Sequence, residues 1–160
     1  MHKPEQATAE KTYRAIGRFI FAFSQVEFTI RQRLGEALGL EDDYFTPVVD
    51  SYDVVVLCKV ALEVFAKQRS GEVFARIKKE IDRFLEINGI RTRVAHGLWS
   101  PHHAGGTVSH TPRTKPVVKV SPNQAEELEK VADQLFELGN RLDNAIFDVL
   151  SDDVLPTRKH

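Results

Sequence analysis

The side chains of this chain best suited to chemistry fall between residues 88 and 97, Asn-Gly-Ile-Arg-Thr-Arg-Val-Ala-His-Gly. Asn88, Arg91, Arg93 and His96 supply an amide, two guanidinium groups and an imidazole within about three turns of helix. Imidazole exchanges protons near neutral pH, and guanidinium is a forked, permanently charged donor that matches phosphate oxygens. Such a set needs no metal to cleave RNA, if one group takes the proton of a ribose 2′-OH and another stabilises the charge on the phosphate. A helix ending just after His96 would favour the protonated ring through its dipole, which suits an acid as much as a base. The same residues also describe a structural polar network at a helix end, and the sequence alone leaves both readings open.

The element that must position them is a long helix starting near Gly71, in which Phe74, Ile77, Ile81, Phe84 and Leu85 recur with a helical period. With Phe74 at 0° and steps of about 100°, this stripe lies between roughly 280° and 20°, and Asn88 falls in its middle near 320°. Arg91 lands near 260° and His96 near 40°, about 140° apart. Ile87, Ile90 and Val94 cluster at roughly 160–220°, so the apolar side changes over along the helix. Gly89 in mid-helix costs about 1 kcal/mol relative to Ala, which suggests close approach of another element. Gly97 is a good C-terminal stop.

Asn88-x-x-Arg91-x-x-x-x-His96-Gly97, late on the third long helix of a small helical chain, resembles the HEPN superfamily, whose hallmark is an Arg followed by a His after four to six residues. The resemblance covers most of residues 8–150 as a helix pattern and about ten residues as a specific motif. It implies an all-α, up-down bundle of about four main helices and a homodimer with its two-fold axis near the motif helix. It further implies a metal-independent endoribonuclease without cofactor, of the kind found among toxins and antiviral defence effectors, with RNA as substrate. Arg91, His96 and Asn88 would be the catalytic residues, with Arg93, Thr92 and Glu27 binding or orienting. The position after the Arg, often Asn in active members, is Thr92 here. Other members are non-catalytic binding or dimerisation modules, or helical partners of nucleotidyltransferases, so an antitoxin or nucleotidyltransferase partner is the alternative expectation.

The remaining sequence frames this motif. At 160 residues with 42% hydrophobic and 28% charged residues, the chain fits one domain, 1–160, with an adequate core. Net charge is −1, so contact with nucleic acid must be local. Cys58 is the sole cysteine and lies in an apolar run, which suits a packed small hydrophobe and excludes an intrachain disulfide or a multi-cysteine zinc site. No segment has the length to span a bilayer and the first residues are unlike a signal peptide, so a cytoplasmic location is expected. No P-loop, dinucleotide fingerprint, zinc-protease motif or serine elbow is present.

A first helix over residues 8–38 carries Ile16, Phe19, Ile20, Phe23, Val26, Ile30, Leu34 and Leu38 on one stripe and stops at Gly39. Glu27 lies inside that stripe. It is expected at the stripe edge or in a structural ion pair, or else facing Arg91 or Arg93 and orienting it. Phe21 and Phe28, seven residues apart on a flank, suit a second packing surface and are expected in the intrachain core, with contact to a partner as the alternative. Residues 41–52 read as a connector limited by Pro47. Asp53 caps a second helix from Val54 to about Gln68, although Val54, Val55 and Val56 would also suit a short strand. Residues 98–120 form an insert with a loop or a two-stranded hairpin, Thr107–His110 and Val117–Val120. His102, His103 and His110 there match no zinc spacing, and Arg113, Lys115 and Lys119 read as solvated surface. Ser121, Pro122 and Gln124 then open a last helix through Leu128, Val131, Leu135, Leu138, Leu142, Ala145, Ile146 and Val149. Residues 1–7 and 152–160 are expected to fray.

Overall fold

A computed structural model describes residues 3–68, 71–100, 107–110, 119–121 and 124–151, with side chains over 6–68, 71–100 and 124–147. The fold is an all-α bundle of four long helices: α1 Lys3–Leu38, α3 Val54–Gln68, α4 Gly71–His96 and α5 Gln124–Ser151. A short α2, Asp42–Phe45, and a π-helical turn, Thr46–Asp50, link α1 to α3. Three short strands follow α4: β1 Leu98–Ser100, β2 Thr107–His110 and β3 Lys119–Ser121, antiparallel in the order β1-β2-β3. Among the described residues, no helix is long and apolar enough to cross a membrane.

Local chemistry accounts for the helix ends. The Asp53 carboxylate accepts from the backbone N–H of Val55 and Val56, both at 2.9 Å, so the valine run is helical from its first residue. Gly39 and Gly71 have φ of 63° and 69°, the left-handed conformation that ends α1 and precedes the regular turns of α4. The connector is more helical than its composition suggests, because Pro47 sits in the first turn, where a missing N–H costs nothing. α5 begins at Gln124, whose side chain donates to Glu127 at 2.7 Å. The capping role expected of Ser121 and Pro122 lies outside the described side chains.

The chain divides into two compact units. The first comprises Met1–Ser24 and Ile87–Phe136. Its core is built from Ala15, Phe19, Phe23, Ile87, Leu128, Ala132 and Leu135. Lys11 pairs with Glu126 at 2.9 Å, and Arg18 bridges Glu129 and Asp133 at 2.6 and 2.5 Å, tying α1 to α5. These exposed pairs fix register more than they add stability. Phe21, expected in the core, is 57% exposed and meets Phe136 with ring centroids 6.4 Å apart. With Phe19 at 0°, Phe21 lies at about 200° and Phe28 at about 180°, on the side of the helix away from the apolar stripe.

The second unit comprises Gln25–Glu86 and Glu137–His160. Val26, Ile30, Leu34, Val49, Leu57, Phe65, Ile77, Ile81, Phe84, Leu138, Leu142 and Ile146 fill it. Phe28 is 55% exposed here, again contrary to the expected core position. Arg31 holds the connector: Nη1 donates to the Val49 carbonyl at 2.5 Å, and Nη2 to the Tyr52 carbonyl at 2.7 Å and to Glu27 at 2.6 Å. Gly35 gives room to the Phe45 ring, since a Cβ at that position would stand 2.6 Å from it. Burial pushes the Cys58 thiol up to about 12, with Glu27 adding to the effect and Arg31 opposing it. Cys58 is therefore a packed, unreactive side chain, as its apolar neighbours suggest.

Candidate functional site

Within the first unit, α4 runs from Ile87 to His96 and is closed by two hydrogen bonds. The Gly97 backbone N–H donates to the Arg93 carbonyl at 2.7 Å, and the Trp99 indole N–H donates to the Val94 carbonyl at 3.0 Å. The second bond satisfies one of the four carbonyls that a helix leaves open at its end. β1 begins one residue after Gly97, and its register is Leu98 with Ser109, Trp99 with Val108 and Ser100 with Thr107. The helix end thus leads directly into an antiparallel sheet.

The buried side of α4 rotates as the sequence indicates. Ile77, Ile81 and Phe84 are buried first, at about 280–340° on the wheel, then Ile87 and Val94 at about 200–220°. Asn88 and Ile90 are half-buried, and Arg91, Thr92, Arg93, Ala95 and His96 are all exposed. Val94 alone anchors the final turn to the core. Two cationic side chains and an imidazole therefore face solvent.

Among the described residues, the side chains of Asn88, Arg91, Arg93 and His96 make no hydrogen bond or ion pair. The Thr92 hydroxyl is engaged differently, donating to the Asn88 carbonyl one turn back at 3.1 Å. Glu27, with alternative roles in the sequence, is found in the ion pair with Arg31 in the second unit. Gly89 is exposed, and a Cβ built there meets nothing within 4 Å. The close approach expected at Gly89 is thus not made by the described residues of this chain.

The sequence that includes the helix end carries a charge pattern that its motif does not show. Residues 87–125 contain five of the chain's 22 Lys and Arg, four of its six His, and none of its 23 Asp and Glu. The rest of the chain holds 17 Lys and Arg against those 23 carboxylates. A nearly neutral total thus conceals a cationic segment within an otherwise acidic molecule. Trp99 is not legible from the motif either, since its signal, a lone indole three residues after His96, gains meaning only at the helix end it closes.

His102 and His103 lie outside the described residues, as does the side chain of His110. Among the described residues, no group of three or more His, Cys, Asp or Glu is placed to hold a metal ion. No family model, curated protein or solved structure matches this chain.

Proposed function

We propose that the end of α4 is the active site of a HEPN-type, metal-independent endoribonuclease working as a homodimer in a toxin or defence setting. The observation that carries this reading is the set of uncommitted side chains at that end. Arg91, Arg93 and His96 are exposed and unpaired among the described residues, in a 39-residue stretch without a carboxylate. A structural network would instead consume such donors, as Arg31 is consumed in the second unit.

Arg91 and His96 lie about 140° apart around one helix, so a single chain does not direct both at one phosphate. Two copies related by a two-fold axis near α4 would place both pairs along a common cleft. There His96 moves a proton at the 2′-OH or the leaving oxygen. Arg91 binds the phosphate and its developing charge, Asn88 holds the geometry, and Arg93 contributes backbone contacts. The 2′-oxygen attacks the adjacent phosphorus, the 5′-oxygen leaves with a proton, and a 2′,3′-cyclic phosphate remains.

The test is cleavage of single-stranded RNA by the purified chain. Activity should survive EDTA, and His96→Ala and Arg91→Ala should each lower it by roughly a hundredfold or more with an unchanged circular dichroism spectrum. Activity untouched by both substitutions would defeat the assignment. A second reading, a non-catalytic module bound to an antitoxin or a nucleotidyltransferase, is favoured by the exposed Phe21–Phe136 pair, which offers an aromatic contact surface.

A further inference from the structure

The second unit holds a groove of about 330 Å³ lined by Arg76, Lys79 and Glu80 of α4 and by Arg141, Asn144 and Ala145 of α5. On each helix the three residues stand at i, i+3 and i+4, the spacing that puts side chains on one face. Two matched faces therefore meet across the groove. Three cations and one carboxylate line it, a formal charge of +2.

That charge is not cancelled from within. Both Glu80 oxygens are taken by Arg141, from Nε and Nη2, each at 3.0 Å, and the Glu80 side chain is only 12% exposed. Arg76 and Lys79 have no carboxylate partner among the described residues. Asp143, beside Asn144 in the chain, is committed to Arg33 at 2.8 Å. The adjoining groove of about 710 Å³ is different, although it shares Lys79, Glu80 and Arg141. Its other charges pair off, Lys78 with Asp82 at 2.5 Å and Arg83 with Glu86 at 2.6 Å. The excess positive charge is thus concentrated in the smaller groove.

We propose that this α4/α5 groove binds a phosphate group. Guanidinium, ammonium and amide donors from two helices exceed what the two oxygens of a carboxylate can use, and they suit a tetrahedral dianion. Arg141 is engaged by two carboxylates, Nε and Nη2 by Glu80 at 3.0 Å and Nη1 by Glu137 at 3.6 Å, so Arg76 and Lys79 supply the charge left for a ligand. The groove is larger than a bare phosphate, which leaves room for an esterified remainder. The phosphate could come from a small phosphomonoester or from an RNA backbone. The inference is independent of the role given to Arg91 and His96.

The experiment is calorimetric titration of the intact chain with inorganic phosphate, adenosine monophosphate and a short single-stranded RNA, at matched ionic strength. Millimolar or tighter phosphate binding is expected, and the R76A/K79A double variant should weaken it by about tenfold or more. Those two side chains make no ion pair among the described residues, so the variant should keep the wild-type circular dichroism spectrum and melting temperature. Glu80→Gln should act in the opposite direction and tighten binding several-fold, because it removes the competing negative charge. Tighter binding of the nucleotide than of phosphate identifies a small ligand. Loss of RNA binding in the double variant, with no gain for the nucleotide in wild type, identifies the backbone. Equal binding by wild type and double variant, or no binding of all three probes at millimolar concentration, overturns the proposal.

Discussion

The two halves of α4 treat charge in opposite ways. From Gly71 to Glu86 the helix carries Arg76, Lys78, Lys79 and Arg83 against Glu72, Glu80, Asp82 and Glu86. Most of these are tied to one another or to Arg141. From Ile87 to His96 it carries Arg91, Arg93 and His96 against no carboxylate. Exposed pairs at i, i+3 and i+4 contribute only a few tenths of a kcal/mol each, so the first half gains chiefly neutrality and solubility. The second half forgoes that neutrality. Unpaired cations at a helix end raise the local potential and leave donors free for an anion, a cost in self-repulsion that a binding surface justifies.

Placing a carboxylate in the cationic half tests this contrast most strongly. Thr92→Glu sets a negative charge between Arg91 and Arg93 and should weaken single-stranded RNA binding by about tenfold at low salt, measured by fluorescence anisotropy. Arg83→Ala in the paired half should change RNA binding little and stability by less than about 0.5 kcal/mol. Equal effects from the two substitutions would show that the halves do not differ in function.

The anchoring of the cationic half gives a smaller effect. Trp99→Phe keeps the ring but removes the donor to the Val94 carbonyl, and should cost about 1–2 kcal/mol in urea unfolding followed by circular dichroism. A loss near zero would mean that solvent caps that carbonyl equally well.

Gly89, the third residue of the cationic half, gives a smaller change again. Its Cβ position is open, so Gly89→Ala should stabilise the isolated chain by about 0.5–1 kcal/mol. If a second copy packs there, the same substitution should weaken self-association in sedimentation equilibrium. Stabilisation with unchanged association would move the two-fold axis away from Gly89.

Local patterns were legible wherever the physics is local. The α3 and α4 boundaries follow from Asp53, Gly71 and Gly97, because caps and left-handed residues act within a few positions of themselves. The changeover of the buried side of α4 was equally visible, since burial at Ile87 and Val94 follows from helical geometry. Phe21 and Phe28 stand outside the core, because hydrophobicity states what a side chain favours and not which neighbour arrives to cover it. β1 is not legible in the sequence, because three residues directly after a helix carry no alternation to read.

By itself, the sequence determined the four long helices, the polar residues gathered on the last turns of α4, and a stretch of 39 residues without a carboxylate. These are properties of neighbours along a chain, fixed by periodicity and composition. Only the tertiary structure decided that Glu27 is held by Arg31, that Glu80 is spent on Arg141 while Arg76 and Lys79 have no carboxylate partner among the described residues, and that Trp99 closes the helix bearing His96. Whether a charged or polar group is committed or free depends on which partner comes within about 3 Å, and partners distant in sequence are chosen by packing.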